Sequence, residues 1–348
     1  MRYKLLGKSG LRVSEICLGA MTFGQEWEIG APKKESFGVM ETFAKAGGNF
    51  IDTADLYQGT TSEKWVGEFA ASDRDHWVLA TKYSLSMRPD DPNFCGNHRK
   101  HLVQAVEASL ERLATDYIDL YWVHAWDFLT PVEEVVRGLD DLVRSGKVLY
   151  VGVSDTPAWI VSQAVTLAEL RGWSRFVGLQ IEYSLIERTP ERELLPMART
   201  IDLAVTPWGA LGGGLLTGKY TGDPKKDKKV DTGRKMAASR RFTERNLTIA
   251  STLRKVADES GCKPSQAALA WLRSRPGVII PVVGARRADQ LAESLGCLDL
   301  TLSPGQLAAL DEVSRIEMGF PMDFLEAAPT RKIRFGDTGG LIDSHRPY

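Results

Sequence analysis

The sequence predicts one α/β domain over residues 1–348, a (β/α)8 TIM barrel with an N-terminal β-hairpin and long C-terminal loops. Two patterns point there. Short apolar runs alternate with helical patterns along almost the whole chain, which means βαβ units and a buried parallel sheet. Eight such runs occur, the number that closes a barrel. A missing motif adds to them: the first run leads into "CLGAMTFG", not the G-x-G-x-x-G that opens a doubly wound dinucleotide fold.

The strand candidates, in order, are "EICLG", "GNFID", "WVLATK", "YIDLYWVH", "VLYVGVS", "FVGLQIEY", "DLAVTPW" and "GVIIPVVG". Each has the length of a buried strand and is rich in Val, Ile, Leu or aromatics. Between them lie helical patterns such as "KKESFGVMETFAKAG", "NHRKHLVQAVEASLERLA", "PVEEVVRGLDDLVRSG" and "PAWIVSQAVTLAELRG". In the third, Thr130 suits the N-cap, Pro131 the first helical position, and Gly146 the stop. Two segments fall outside the repeat. Lys219 to Arg241 holds nine Lys/Arg against three Asp and reads as a solvated loop or as a lid or phosphate-binding arm on the cofactor side. The tail 316–348 is expected near the substrate pocket.

Composition excludes several classes. With 43% hydrophobic and 26% charged residues the chain is an ordinary globular one. Basic and acidic side chains number 44 and 45, so no overall field favours nucleic acid or a membrane surface. Cys17, Cys95, Cys262 and Cys297 are far apart, against a zinc site or a disulfide framework. "MRYKLLGKSG" has no apolar core of signal-peptide length, and "GKSG" lacks the upstream glycine of a P-loop. The expectation is a soluble cytoplasmic protein, monomer or homo-oligomer, acting on small molecules.

Active sites of such barrels are built at the C-terminal ends of the strands. There the sequence puts Asp52, Asp55 and Tyr57 after "NFI", Lys82 at the end of "WVLATK" and His124 at the end of "DLYWVH". Ser154 and Asp155 follow the fifth strand and Gln180 ends the sixth. Burying so many ionisable groups without mutual pairing is costly. Their chemistry interlocks instead. An ammonium such as Lys82 draws a neighbouring tyrosine's pKa down, Asp52 holds that lysine charged, and a histidine can orient a substrate oxygen. Such a set suits protonation of an oxygen that gains negative charge when hydride adds to a carbonyl. It supplies no hydride, so an external donor is required.

The stretches "FIDTADLY", "LATK", "DYIDLYWVH", "GKVLYVGVSD", "LQIEYSL" and "WGALGGGLLTGKY", in this order, resemble the aldo-keto reductases, NAD(P)H-dependent barrel oxidoreductases. The likeness runs from about residue 3 to 315 and is greatest to the branch of aryl-alcohol dehydrogenases and potassium-channel β subunits. It implies a tetrad of Asp52, Tyr57, Lys82 and His124, with Tyr57 as general acid. Asp55 falls outside it and is expected to set the position of Tyr57 through an Asx-type turn or cap.

The resemblance also implies a nicotinamide site at Ser154, Asp155, Gln180 and Trp208, where Asp155 departs from the usual Asn and Trp208 from the usual Tyr. Gly209, Ala210, Leu211 and Gly213 would let the pyrophosphate approach, with Lys219 and Arg241 nearby, and Gly19, Ala20 and Met21 adjoin. The adenosine end would meet Gly284, Ala285, Arg286, Gln290, Glu293 and Ser294. Arg286 and Arg287 can meet a 2′-phosphate, which favours NADP(H) over NAD(H). Phe23, Trp27, Tyr83, Trp126 and Phe128 are candidates for an aromatic substrate wall, closed on one side by Phe320 and Phe324. The reading is a reductase of aldehydes and aryl or polycyclic ketones, xenobiotics among them. Its alternatives are a cofactor-sensing regulatory subunit, or a hydrolase using Asp52 and Asp55 as paired carboxylates.

Overall fold

The computed structural model describes residues 1–219 and 241–344. A two-stranded antiparallel hairpin, β1 (Tyr3–Leu5) and β2 (Arg12–Ser14), precedes the barrel. The barrel strands are β3 (Cys17–Gly19), β4 (Phe50–Asp52), β5 (Val78–Tyr83), β6 (Ile118–Val123), β7 (Val148–Ser154), β8 (Phe176–Glu182), β9 (Ala204–Trp208) and β10 (Val282–Gly284). All eight run parallel, each beside its chain neighbour, and β10 returns to β3. The other edge is sealed because Val205 donates to Val278 O at 2.7 Å and Ile280 donates to Val205 O at 2.8 Å. Each of the eight sequence runs yields one barrel strand.

The surrounding helices include α1 (Lys33–Lys45), α2 (Thr61–Ala70), α3 (Arg99–Leu113), α4 (Val132–Arg144), α5 (Ala158–Arg171), α6 (Leu194–Thr200), α7 (Glu244–Glu259), α8 (Pro264–Arg273), α9 (Ala288–Leu295) and α10 (Pro304–Val313). Helix α4 starts one residue later than its sequence signals: Pro131 is the cap, while the Thr130 N–H and hydroxyl donate to the Asp127 carboxylate. Residues 220–240, nearly all of the basic loop, lie outside the described residues. The tail carries two short helices, α11 (Met322–Glu326) and α12 (Ala328–Phe335), and is largely exposed.

Side chains alternate sides along a strand, and two apolar clusters record that alternation. Ile51, Leu79, Tyr121, Val123, Val153 and Leu179 join the layer between strands and helices. Phe50, Val78, Ala80, Leu120, Trp122 and Ala204 fill the interior, whose lower end is stoppered by Leu6 and Val13 of the hairpin region. Trp122 is the floor of the site. Its ring fits because its neighbours across β7 and β8 are Gly152 and Gly178, where an added Cβ would come within 2.3 Å and 2.7 Å of the indole. Continuing the interior parity upward from Phe50, Ala80 and Trp122 brings Asp52, Lys82 and His124 to the same side of the sheet.

Candidate active site

At the C-terminal ends of the strands lies a cavity of about 550 Å³. Asp52, Tyr57 and His124 line it, and Lys82 sits fully buried beneath. Lys82 Nζ makes a short ion pair with Asp52 and donates to Thr53 O at 2.7 Å. The second Asp52 oxygen accepts from Gln180 Nε2 at 3.1 Å, so the carboxylate is held from two strands. Nζ lies 4.8 Å from the centroid of the Tyr57 ring, and His124 meets that ring edge-on at 5.9 Å.

The electrostatics follow from this packing. Burial works against the charge on Lys82, but Asp52 and Tyr57 outweigh it and raise its pKa. Burial pushes the Tyr57 hydroxyl up, and the adjacent Lys82 ammonium recovers only part of that. The sequence expectation of a net downward shift is therefore corrected: desolvation exceeds the lysine's pull. His124 drops to about 3, through burial and then Lys82, and is neutral across the physiological range.

Asp55 has a different setting. Both its carboxylate oxygens are buried without a hydrogen-bond partner, so it forms no Asx turn. Its surroundings are α2 and α3 groups rather than the cavity. Burial and then Glu63, itself paired with Arg112 and Thr81, raise its pKa to about 8. Asp52 and Asp55 do not face each other across the cavity as a hydrolytic pair would.

All the cofactor positions expected from the sequence except Arg287 line this one cavity: Gly19, Ala20, Met21, Ser154, Asp155, Gln180, Trp208, Gly209, Ala210, Leu211, Gly213, Lys219, Arg241, Gly284, Ala285, Arg286, Gln290, Glu293 and Ser294. The half-buried Trp208 indole donates to Asp155 Oδ1 at 3.0 Å, so the two departures from the family pattern are bonded to each other. Burial raises the Asp155 pKa, and the bond from Trp208 offsets part of that. Gly213 has φ +65°, and a Cβ there would come 2.8 Å from the Arg241 guanidinium. Arg241 also pairs with Glu182. Arg287, by contrast, is engaged by Asp289 at 2.8 Å and does not line the cavity.

The aromatic wall is placed otherwise than expected. Trp27 does line the cavity, 6.1 Å from the Tyr57 ring and edge-on to it. Tyr83 is fully buried on the helix side, stacked on Tyr121 at 5.3 Å, because it follows the inward Lys82 in the alternation. Phe23 and Trp126 pack into the outer apolar cluster. Phe128, Phe320 and Phe324 are 67%, 87% and 59% exposed and do not line this cavity. Leu56 and Leu85 supply apolar wall that was not expected, and Thr22, Gly214, Thr217, Ser265, Val282 and Val283 complete the lining. Leu56 was legible from its place between Asp55 and Tyr57; for Ser265, at the start of α8, no sequence signal existed.

A family model described as the aldo/keto reductase family matches residues 15–315. The chain belongs to the aldo/keto reductase family. It is 41% identical to norsolorinic acid reductase stcV of Emericella nidulans, an alignment covering 94% of this chain and 84% of the relative. It is 39% identical to an aryl-alcohol dehydrogenase [NADP(+)] of Phanerodontia chrysosporium (90% and 85% covered) and 37% identical to the putative aryl-alcohol dehydrogenase AAD14 of Saccharomyces cerevisiae (95% and 92%). This reductase is accordingly an oxidoreductase interconverting carbonyl compounds and alcohols. The family works with nicotinamide cofactors. These relatives are reductases and dehydrogenases, and nothing in them supports the channel-subunit alternative. Among the described residues, no helix is long and apolar enough to cross a membrane.

Proposed function

We propose that the chain is an NADPH-dependent reductase of aryl and polycyclic carbonyl compounds, reversible as an alcohol dehydrogenase, with Tyr57 as its general acid and base. The observation that carries this reading is the convergence of Asp52, Tyr57 and His124, with Lys82 beneath, on the one cavity that also holds Trp208, Lys219, Arg241 and Arg286. The cavity's chemistry fits a dinucleotide. A flat indole stands near the acid-base group, and three cations lie at positions suited to anionic phosphates. Ser154, Asp155, Gln180 and Trp208 would hold the nicotinamide, the glycine turn the pyrophosphate, and Arg286 the 2′-phosphate.

When bound, the reduced nicotinamide supplies the hydride. The remaining work belongs to the side chains. Neutral His124 orients the substrate oxygen by a hydrogen bond. Tyr57 releases its proton to that oxygen as negative charge develops, and Lys82 stabilises the tyrosinate left behind. Asp52, held by Gln180, keeps Lys82 charged. Trp27, Leu56 and Leu85 give the mouth an apolar wall suited to flat rings.

The test is consumption of NADPH, followed by absorbance, across aliphatic aldehydes, aryl ketones and polycyclic ketones, repeated with NADH and with Arg286→Ala. Turnover of aryl substrates with NADPH preferred, and a rise in KM for NADPH but not NADH in the variant, is expected. Equal use of both cofactors by the wild type would overturn the NADP assignment.

A further inference from the structure

Trp27 lines the cavity edge-on to Tyr57, and it stands on a connection, residues 20–31, that belongs to no strand or helix. Its position therefore depends on what ties that connection down. Gln58, the residue after Tyr57, is fully buried yet does not line the cavity. Its backbone is left-handed, with φ 49° and ψ 47°, a conformation a non-glycine residue adopts at a cost. From there its side chain reaches into the connection. Oε1 accepts the Trp27 N–H at 2.8 Å, and Nε2 donates to Met21 O at 3.0 Å. The two partners, one donor and one acceptor, fix which way the amide points.

The connection is shaped around this side chain. At Gly24 (φ +145°) a Cβ would fall 2.3 Å from Gln58 Cβ, and at Gly30 a Cβ would fall 2.0 Å from Gly24 O and 3.0 Å from Gln58 Oε1. Trp27 O then accepts the Gly30 N–H at 3.0 Å, which closes the turn. A second tie, Thr61 Oγ1 to Glu26 Oε1 at 2.5 Å, is at the exposed rim.

We propose that Gln58 is a positioning residue. Its amide holds Trp27 edge-on to Tyr57 and so sets a preference for flat aromatic carbonyl substrates over small aliphatic ones. This rests on the reading of Tyr57 as the acid that meets the carbonyl. Because Gln58 follows Tyr57 directly, the acid-base group and the specificity wall share one strained turn.

The test uses Gln58→Asn, which tolerates the left-handed backbone but is one methylene too short to reach both partners, together with Trp27→Ala and the double variant. The measurements are kcat and KM for an aryl aldehyde and for propanal, and NADPH affinity by fluorescence titration. In Gln58→Asn, kcat/KM for the aryl aldehyde is expected to fall about tenfold, mostly through KM, as for a lost apolar contact. Propanal turnover and NADPH affinity stay within about twofold, and the double variant is no worse than Trp27→Ala, since both remove one interaction. Gly24→Ala, which pushes on the strut from the other side, reproduces the selectivity loss, and it decides the matter if Gln58→Asn does not fold. A parallel fall for both aldehydes, an unchanged aryl-to-propanal ratio, or additive effects in the double variant would overturn the proposal. Failure of the underlying reading shows itself differently, as absence of wild-type turnover of either aldehyde.

Discussion

Replacing Asp55 by Asn makes the stability of the barrel depend on pH in a way that can be worked from its surroundings. The carboxyl is buried, without hydrogen bonds, and beside Glu63; burial and that neighbour lift it from an ordinary 3.8 to about 8. In the unfolded chain it ionises near pH 4, while the folded protein keeps it protonated up to about pH 8. Folding is therefore unpenalised below pH ~4, loses stability as pH rises toward 8, and levels off above. The gap is about four pH units at ~1.36 kcal/mol each, so the full cost is on the order of 5 kcal/mol. Asparagine has the same shape and no charge. Its own unpaired amide costs about 1–3 kcal/mol, but equally at every pH. Equilibrium urea denaturation of both proteins from pH 5 to 9 separates the two effects. The stability of the variant relative to wild type is expected to climb by roughly 1.4 kcal/mol per pH unit up to about pH 8 and then stop. Parallel curves would mean that Asp55 is ionised or hydrogen-bonded in the folded protein, and the reasoning would fail.

Lys82→Met removes the partner of a buried carboxylate and leaves Asp52 with the Gln180 amide; thermal denaturation is expected to register a loss of about 3–5 kcal/mol, and turnover to collapse with it. Retained turnover would remove Lys82 from the proton-delivery set. His124 is neutral above pH about 3, so the pH profile of kcat/KM should show no limb near 6.5, and His124→Gln should keep more activity than His124→Ala. Gly152→Ala puts a methyl 2.3 Å from the Trp122 ring, whose far edge already lies against Gly178. Overpacking of about 1–3 kcal/mol or more, read as a lower Tm, is expected there, and a neutral result would mean the floor yields.

The strands and the inward side chains at their ends were legible because both obey a period of two and a known closure. Asp52, Lys82 and His124 inherit their direction from Phe50, Ala80 and Trp122, so naming the strand names the side. The same rule turns Tyr83 outward, a consequence available from "ATKY" alone. Beyond the strand ends the rule lapses. Ser84 (φ 107°), Phe128 (φ 57°) and Asp155 (φ 41°) bend the chain through left-handed conformations. There the directions of Leu85 and Trp126 depend on ties such as Asn97 to Asp127, which no local pattern encodes. Asp55 was misjudged for a related reason: Asx turns are common for an Asp in a loop, whereas its burial against α2 and α3 is a tertiary fact. The pairing of Asp155 with Trp208 is of the same kind, since the two substitutions lie 53 residues apart.

The most direct measurement is Tyr57→Phe, assayed together for NADPH binding, by fluorescence quenching at Trp208, and for turnover of an aryl aldehyde. The phenyl ring keeps the shape and the edge contact with His124 while removing the proton. Binding should be unchanged and turnover should fall by at least about 10²–10⁴-fold, the contribution of a positioned general acid. Turnover near the wild-type rate, with binding intact, would contradict the assignment of Tyr57 as the acid.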